Sequence, residues 1–508
     1  MPAQNEPAGR PRRIVIVGGG IAGLAAAFSL RETGAEVTVL EGSARLGGKL
    51  AVSEVAGIAV DEGAEALLAR RPEGTDLIGA VGLADQLRQP GTTQAAIWSR
   101  GRLCPLPRRQ MFGVPADLDE VAGTGILSAA GLARAREDLV RPETPRPGDV
   151  SVTGYVGARF GEELVDRLVD PLLGGVYAGR SQDLSFEATL GPLAAAASRH
   201  RSLADAAAAV LDGARPAAAR PSGPVFTTLA GGLGMLPDAV AAALAAAASA
   251  GTPGAAIRTS AMVRELARRP DGWRLTIGSA RAPEYLDADA IVLALPARPA
   301  ARLLSGVPGA AAAAAALGEI EYASMALVTL AYPVSAFPEP PAGSGYLVPA
   351  VDGRAVKAVT FSSVKWPHLA AADPGITLVR CSVGRIGEEA LLQRPDSELT
   401  AIAAGDLAAA TGISGQPLDS RVTRWGGGLP QYNVGHLDRV ARIRSAIAAL
   451  PGVAVCGAAY DGVGIPACIA TGRLAAEQVL DFLDSAARGP ACAESAAGQS
   501  RAGTGGAR

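Results

Sequence analysis

The feature that most constrains this chain is the run Arg13–Val17 (RIVIV) leading directly into Gly18-Gly19-Gly20-Ile21-Ala22-Gly23. The apolar, β-branched run reads as a buried parallel strand. Leu24–Thr33 reads as a helix ended by Gly34, and Glu36–Leu40 (EVTVL) as a second strand closed by Glu41. Strand, helix and strand within about thirty residues make a βαβ unit. Gly18, Gly20 and Gly23 match GxGxxG. Gly18 permits the tight turn, Gly20 lets the backbone approach a pyrophosphate at the positive helix end, and Gly23 lets helix pack on strand. Glu41, about twenty residues on, suits the ribose hydroxyls. This fingerprint serves NAD and FAD alike.

At 508 residues the chain is too long for one simple core, and two or three domains are expected. A 49% hydrophobic and 19% charged composition is that of a packed globular protein. The net charge of −2 supplies no field to recruit nucleic acid or an anionic membrane. Cys104, Cys381, Cys456, Cys468 and Cys492 form no CxxC pair, and His200, His368 and His436 are far apart in sequence, so no metal site is expected. No Ser-His-Asp or nucleophilic cysteine pattern stands out, no acid or base is assigned, and His436 reads as structural. The leader ahead of Arg13 lacks the apolar core of a secretory signal, and Ala239–Ala250 is too short to span a bilayer. A cytoplasmic protein is expected, with peripheral membrane contact left open.

Pro and Gly punctuate Pro90–Pro115. A helical region is expected from Leu118 to Ala219, interrupted at Arg141–Gly148 and near Gly174–Gly179. Buried or half-buried strands are expected within Tyr285–Leu295 and at Ser324–Tyr332, Val356–Ser362, Thr377–Val383 and Val453–Val455. A glycine turn follows the last strand, then a helix over Cys468–Leu483. Strand–glycine turn–helix grammar at both ends predicts one nucleotide domain assembled from distant segments.

Further motifs narrow the reading. Ala44-Arg45-Leu46-Gly47-Gly48-Lys49, soon after Glu41, resembles the second glycine motif of the amine-oxidase-type FAD superfamily. In that superfamily the loop passes over the cofactor diphosphate, where an arginine charge and bare backbone both make sense. Later stretches resemble the protoporphyrinogen and coproporphyrinogen oxidases in the same order along the chain. They are Val60–Glu65 with Leu68–Pro72, Gly161–Asp166 with Asp170–Gly179 (DPLLGGVYAG), Leu229–Leu233 with Leu293–Pro296, and Arg424-Trp425 with Leu429–His436 and Cys456–Pro466. The Gly-Val-Gly-Ile-Pro form at Gly462–Pro466 looks most like the Gram-positive branch, which oxidises coproporphyrinogen III. An amine oxidase, a carotenoid desaturase and a non-catalytic flavin- and tetrapyrrole-binding protein are the rival readings, and the DPLLGGVYAG segment favours the porphyrinogen oxidases.

The resemblance implies an α/β fold: a Rossmann-like FAD-binding domain of the amine-oxidase superfamily, a mixed α+β substrate domain and a helical subdomain. The divisions expected are a disordered leader 1–12, an FAD-binding domain 13–90, 225–310 and 436–485, a substrate domain 91–117 and 311–435, a helical subdomain 118–224 and a disordered tail 486–508. It implies that Gly18, Gly19, Gly20, Ile21, Ala22 and Gly23 face the FAD diphosphate, that Glu41 and Gly42 meet the ribose, and that Arg45 and Lys49 border the phosphates. Gly63, Ala64, Glu65 and Ala66 would lie against the flavin ring, and Val263 would contact the adenine through its backbone. Trp425, Val463, Gly464 and Ile465 would close over the ring and ribityl chain, though Trp425 on its own also reads as a core aromatic. The substrate would be a porphyrinogen whose saturated bridging carbons deliver hydride to FAD, with molecular oxygen as final acceptor. Arg71 is the candidate carboxylate clamp for propionates, against the plain alternative of a surface arginine. Relatives from mitochondria and plants carry a substrate arginine where this chain has Ala95, which puts their propionate scheme in doubt here. Protoporphyrinogen IX stays open as the alternative substrate, and contact with a downstream ferrochelatase as a transient partnership.

Overall fold

The computed structural model describes residues 10–213, 224–249 and 255–488. The expectations of a disordered leader and tail fall almost wholly outside these residues, as does Cys492. The chain divides into two compact units: 1–48, 237–318 and 442–508 form the first, and 49–236 with 319–441 the second.

The first unit is built on five parallel strands. Their order is Ala256–Arg258, Glu36–Leu40, Arg13–Val17, Ala290–Leu293, Val453–Val455. Parallel strands need crossovers that cover both faces, which explains why the central runs RIVIV and AIVL are almost continuously apolar and buried. The helices Ile21–Leu30 and Ile465–Arg488 pack on each other through small residues: a Cβ on Gly472 would stand 2.2 Å from the Ala22 carbonyl oxygen. An antiparallel sheet of Val263–Arg269, Gly272–Ser279 and Ala282–Ala288 completes this unit's strands.

The second unit carries a seven-stranded sheet in the order Asp419–Pro430, Tyr322–Pro333, Ile376–Val383, Val356–Phe361, Gly345–Leu347, Ala96–Ser99, Arg102–Pro105. All its pairings are antiparallel except that of Gly345–Leu347 with Ala96–Ser99. One face packs a core of Trp98, Val328, Leu330, Phe361, Val379 and Cys381 against the helix Asp396–Thr411, through Leu399, Ala403 and Leu407. Short helices fill Leu118–Gly213.

Two local expectations shift. The first helix begins at Ile21 rather than Leu24, because Gly20 already stands at its cap, and it stops at Leu30. The last helix begins at Ile465, directly after the glycine turn. The break expected near Gly174–Gly179 falls at the end of that window: Asp170–Tyr177 is helical through Gly174 and Gly175 and stops at Ala178, which takes a left-handed φ of 50°. Glycine disfavours a helix interior by about 1 kcal/mol. The helix carries both glycines in its last turns all the same, and a Cβ on Gly175 would make only an ordinary contact with the Leu347 side chain at 3.4 Å.

Candidate functional site

In the first unit, the strand Arg13–Val17 ends where the Gly18 N–H donates to the Leu40 carbonyl at 2.8 Å. Gly18 has φ 111°, and a Cβ there would lie 2.4 Å from the Ala294 oxygen. A Cβ on Gly23 would lie 2.0 Å from the Gly18 oxygen. These two glycines are therefore demanded by the protein's own backbone. Gly20 differs: among the described residues, none beyond its two chain neighbours places an atom within 4 Å of where its Cβ would be. Open space beside the first turn of a helix that carries no acidic residue there is a cradle for an anion.

The second glycine loop closes on the first. The Gly47 N–H donates to the Gly19 oxygen at 2.9 Å, and a Cβ on Gly48 would stand 3.4 Å from the Gly20 Cα. Glu41 holds the same loop: Oε2 accepts from the Gly19 N–H and Oε1 from the Ser43 N–H, both at 2.8 Å. The Arg45 guanidinium donates to the Leu46 and Gly48 carbonyls at 3.1 and 2.7 Å. Gly42 leaves room for the exposed Met262, whose Cε would lie 2.6 Å from a Cβ on Gly42. Val263, next to it, opens the antiparallel sheet with its side chain buried. Val463 and Gly464 lead into the 24-residue helix at Ile465, whose first turn also lacks acidic residues. The Gly464 carbonyl accepts the Cys468 N–H at 3.0 Å.

Lys49, Gly63–Ala66, Arg71 and Trp425 belong to the second unit. Gly63 packs on Lys49 so tightly that a Cβ would meet the Lys49 oxygen at 1.8 Å. The Trp425 indole N–H donates to the Glu62 carbonyl at 2.7 Å, fixing the ring beside Gly63. Glu65 receives the Lys365 ammonium at 2.5 Å and the Arg380 guanidinium at 3.1 Å. Arg380 also donates to the Gly63 carbonyl. Burial alone would push the Glu65 carboxyl up, but attraction and hydrogen bonds from Lys365 and Arg380 outweigh it and hold it at about 2. Asp61, one turn of chain earlier, accepts the Leu233 and Gly234 N–H groups at 3.0 Å each. Burial pushes its carboxyl up to about 6 against those two bonds and the Arg380 charge.

Arg71 stands apart from this cluster in its bonding. It stands at the N-terminal cap position of the helix Pro72–Ala80 without a side-chain bond to it, and is engaged by Glu73 at 2.6 Å, with its side chain 47% exposed. Asp61, Lys365 and Arg380 are the members that sequence reasoning missed. A signal existed for Arg380, a lone cation inside the apolar strand ITLVRCSV, since buried charges are rare unless paired. Among the described residues no three His, Cys, Asp or Glu side chains come together to hold a metal ion, and no helix is long and apolar enough to cross a membrane.

The pattern of the flavin-containing amine oxidoreductases matches residues 21–480. The chain belongs to that family, a class of flavin-dependent oxidoreductases. It is 38% identical over 487 residues to the coproporphyrinogen III oxidase of Mycobacterium tuberculosis (strain ATCC 25618 / H37Rv), covering 94% of this chain and 99% of the relative. It is 32% identical over 489 residues to that of Bacillus subtilis (strain 168), covering 93% and 99%. A crystal structure from Exiguobacterium sp. 255-15, provisionally named a protoporphyrinogen oxidase, superposes with a TM-score of 0.79 at 31% identity, covering 93% of this chain and 99% of that one.

Proposed function

We propose that this protein is an oxygen-dependent coproporphyrinogen III oxidase, forming coproporphyrin III in haem biosynthesis through successive two-electron steps. The observation that carries the reading is the near end-to-end similarity to coproporphyrinogen III oxidases, at up to 38% identity. Bound FAD supplies the hydride acceptor, with oxygen as the final oxidant.

The chain's own residues bind and orient. The N-terminus of the helix Ile21–Leu30 and the bare backbone at Gly19 and Gly20 suit the diphosphate, because no side chain competes for the space at Gly20. Ile21, Ala22 and Gly23 continue that turn. Glu41 keeps lone pairs for ribose hydroxyls after satisfying two backbone donors. Gly42 and the Val263 backbone are assigned to the nucleoside, Arg45 and Lys49 to the phosphate border. Gly63, Ala64, Glu65, Ala66, Trp425, Val463, Gly464 and Ile465 are assigned to the flavin ring and ribityl chain. Arg71 clamps a propionate only by giving up Glu73, a half-exposed bond of small worth. Residues 118–224 are the helical subdomain of this scheme. A cytoplasmic setting, peripheral membrane contact and transient handover to a ferrochelatase complete it.

Purified protein is expected to be yellow, to release FAD on denaturation, and to make fluorescent coproporphyrin from coproporphyrinogen III. Protoporphyrinogen IX is the second reading, favoured by the name of the Exiguobacterium relative. Parallel assays with both substrates decide: a strong preference for protoporphyrinogen IX reverses the substrate assignment, and turnover of neither removes the function.

A further inference from the structure

A small cavity of about 30 Å³ lies inside the second unit, lined by Asp61, Glu65, Ser362, Trp366, His368 and Arg380 among others. That volume admits one water, which needs about 10–15 Å³ by the same measure and two to four polar partners. Apolar side chains such as Val60, Leu229 and Leu369 share this lining, but the polar groups of Asp61, Glu65, Ser362, Trp366, His368 and Arg380 supply the partners a water needs. Among the described residues, Trp366 Nε1 and His368 Nδ1 are buried and have no hydrogen-bond partner. Trp366 is only 2% exposed, so its orphaned donor carries a real cost unless a small molecule meets it.

The two carboxylates on this lining are held differently. Glu65 is locked between Lys365 and Arg380. Among the described residues Asp61 has no ion pair in bonding distance, and it is held by two backbone N–H groups at the turn before the helix Met235–Ser249. The charged groups facing Asp61 are Arg380, from the strand Ile376–Val383, and Glu65, on its own loop, with Lys365 behind Glu65. One acid stays ionised and the other is free to exchange a proton, a division of labour typical of acid–base pairs.

We propose that this cavity is a hydrated proton-transfer station: a bound water links the Asp61 carboxylate to the His368 imidazole, and Asp61 takes up the proton released by substrate oxidation. The inference rests on the porphyrinogen reading above. When a bridging C–H bond breaks, its electron pair leaves with the hydrogen to the flavin and the tetrapyrrole is left cationic. The neighbouring pyrrole N–H then loses its proton, the bonding pair stays on nitrogen, and the charge is neutralised. Asp61 receives that proton and passes it through the water to His368, which is half-buried and leads it toward solvent. The Trp366 N–H orients the water as a donor.

The test uses the flavin-loaded full chain. A crystal structure is expected to show an ordered water within hydrogen-bond distance of Trp366 Nε1 and His368 Nδ1. With coproporphyrinogen III, kcat/KM is expected to fall as pH drops through about 6, where Asp61 gains its proton. Asp61→Asn should remove that acid limb and slow turnover about tenfold or more above it. Asp61 also anchors a turn, so Asp61→Asn can misfold. His368→Gln is the second arm: it should keep the flavin spectrum, slow turnover several-fold and raise the solvent isotope effect. Absence of the water, or an unchanged acid limb and isotope effect in the folded variants, overturns the proposal. If the wild type oxidises neither porphyrinogen, the functional reading fails by itself. The water and an infrared titration of the Asp61 carboxyl, both measured without substrate, then decide the hydrated station independently.

Discussion

Three glycines of one motif are kept for different physical reasons, and this separates folding from binding at single-residue resolution. Gly18 and Gly23 are held by close backbone contacts, Gly20 by none. Gly20→Ala is therefore expected to leave the unfolding midpoint of flavin-free protein within about 2 °C while lowering FAD affinity about tenfold. Gly18→Ala should instead destabilise the apoprotein, because its methyl meets the Ala294 carbonyl and its φ is positive. Flavin released per mole of chain, together with thermal melts, checks both. Glu41→Ala should weaken FAD retention and loosen the loop, since two backbone donors lose their acceptor; unchanged flavin occupancy would count against its ribose role. Lys357 offers a pH test away from the cofactor. Its buried ammonium donates to the Gly384 carbonyl at 2.7 Å, and burial, helped by Arg385, lowers it from 10.5 to about 7. Above about 7 the folded state leaves the amine neutral while the unfolded chain stays protonated until 10.5. The unfolded state then binds more protons, so stability rises with pH across that window. Lys357→Met should flatten the rise, as read from urea midpoints between pH 7 and 10. The glycines and Glu41 were legible in sequence because their chemistry is local. Lys357, Asp61 and Arg380 were not, because what matters about them is which distant groups surround them.

Elements were most legible where burial on both faces writes a continuous apolar run. Arg13–Val17, Glu36–Leu40 and Val453–Val455 fall where the pattern puts them; for Arg13–Val17 the reason is that a central parallel strand has no solvent face to interrupt the run, while Val453–Val455 lies at the sheet edge. The helix Asp170–Tyr177 ends inside the expected break at Gly174–Gly179, but only the structure puts the stop at Ala178 and not at the first two glycines. The region Leu118–Gly213 also holds a pairing that local sequence does not show. Asp138 and Arg159 are fully buried and paired, though far apart in sequence. Asp138 also accepts Ser202 Oγ, Leu203 N–H and Ala204 N–H at 2.9–3.1 Å, satisfying the start of the helix Leu203–Gly213. Arg159→Met should cost about 3–5 kcal/mol by stranding that carboxylate, seen as a lower urea midpoint with flavin content unaltered in the protein that remains folded.

At the scale of the whole molecule, a cofactor that binds only the folded chain must stabilise it by mass action. FAD at a hundredfold excess over its dissociation constant contributes about 2.7 kcal/mol. Stripping the flavin should lower the melting temperature and adding it back should restore it; no shift would contradict a bound dinucleotide. The sequence alone determined the dinucleotide loop, the family and the apolar strands, because each rests on neighbours a few residues apart or on motifs in fixed order. Only the tertiary structure decided that Gly20 faces open space while Gly18 and Gly23 do not. It alone brought Lys365 and Arg380 onto Glu65, some 300 residues away along the chain. The physical reason is range. Backbone conformation and periodicity are set locally, whereas burial and charge pairing depend on which remote segments the fold places within a few ångströms.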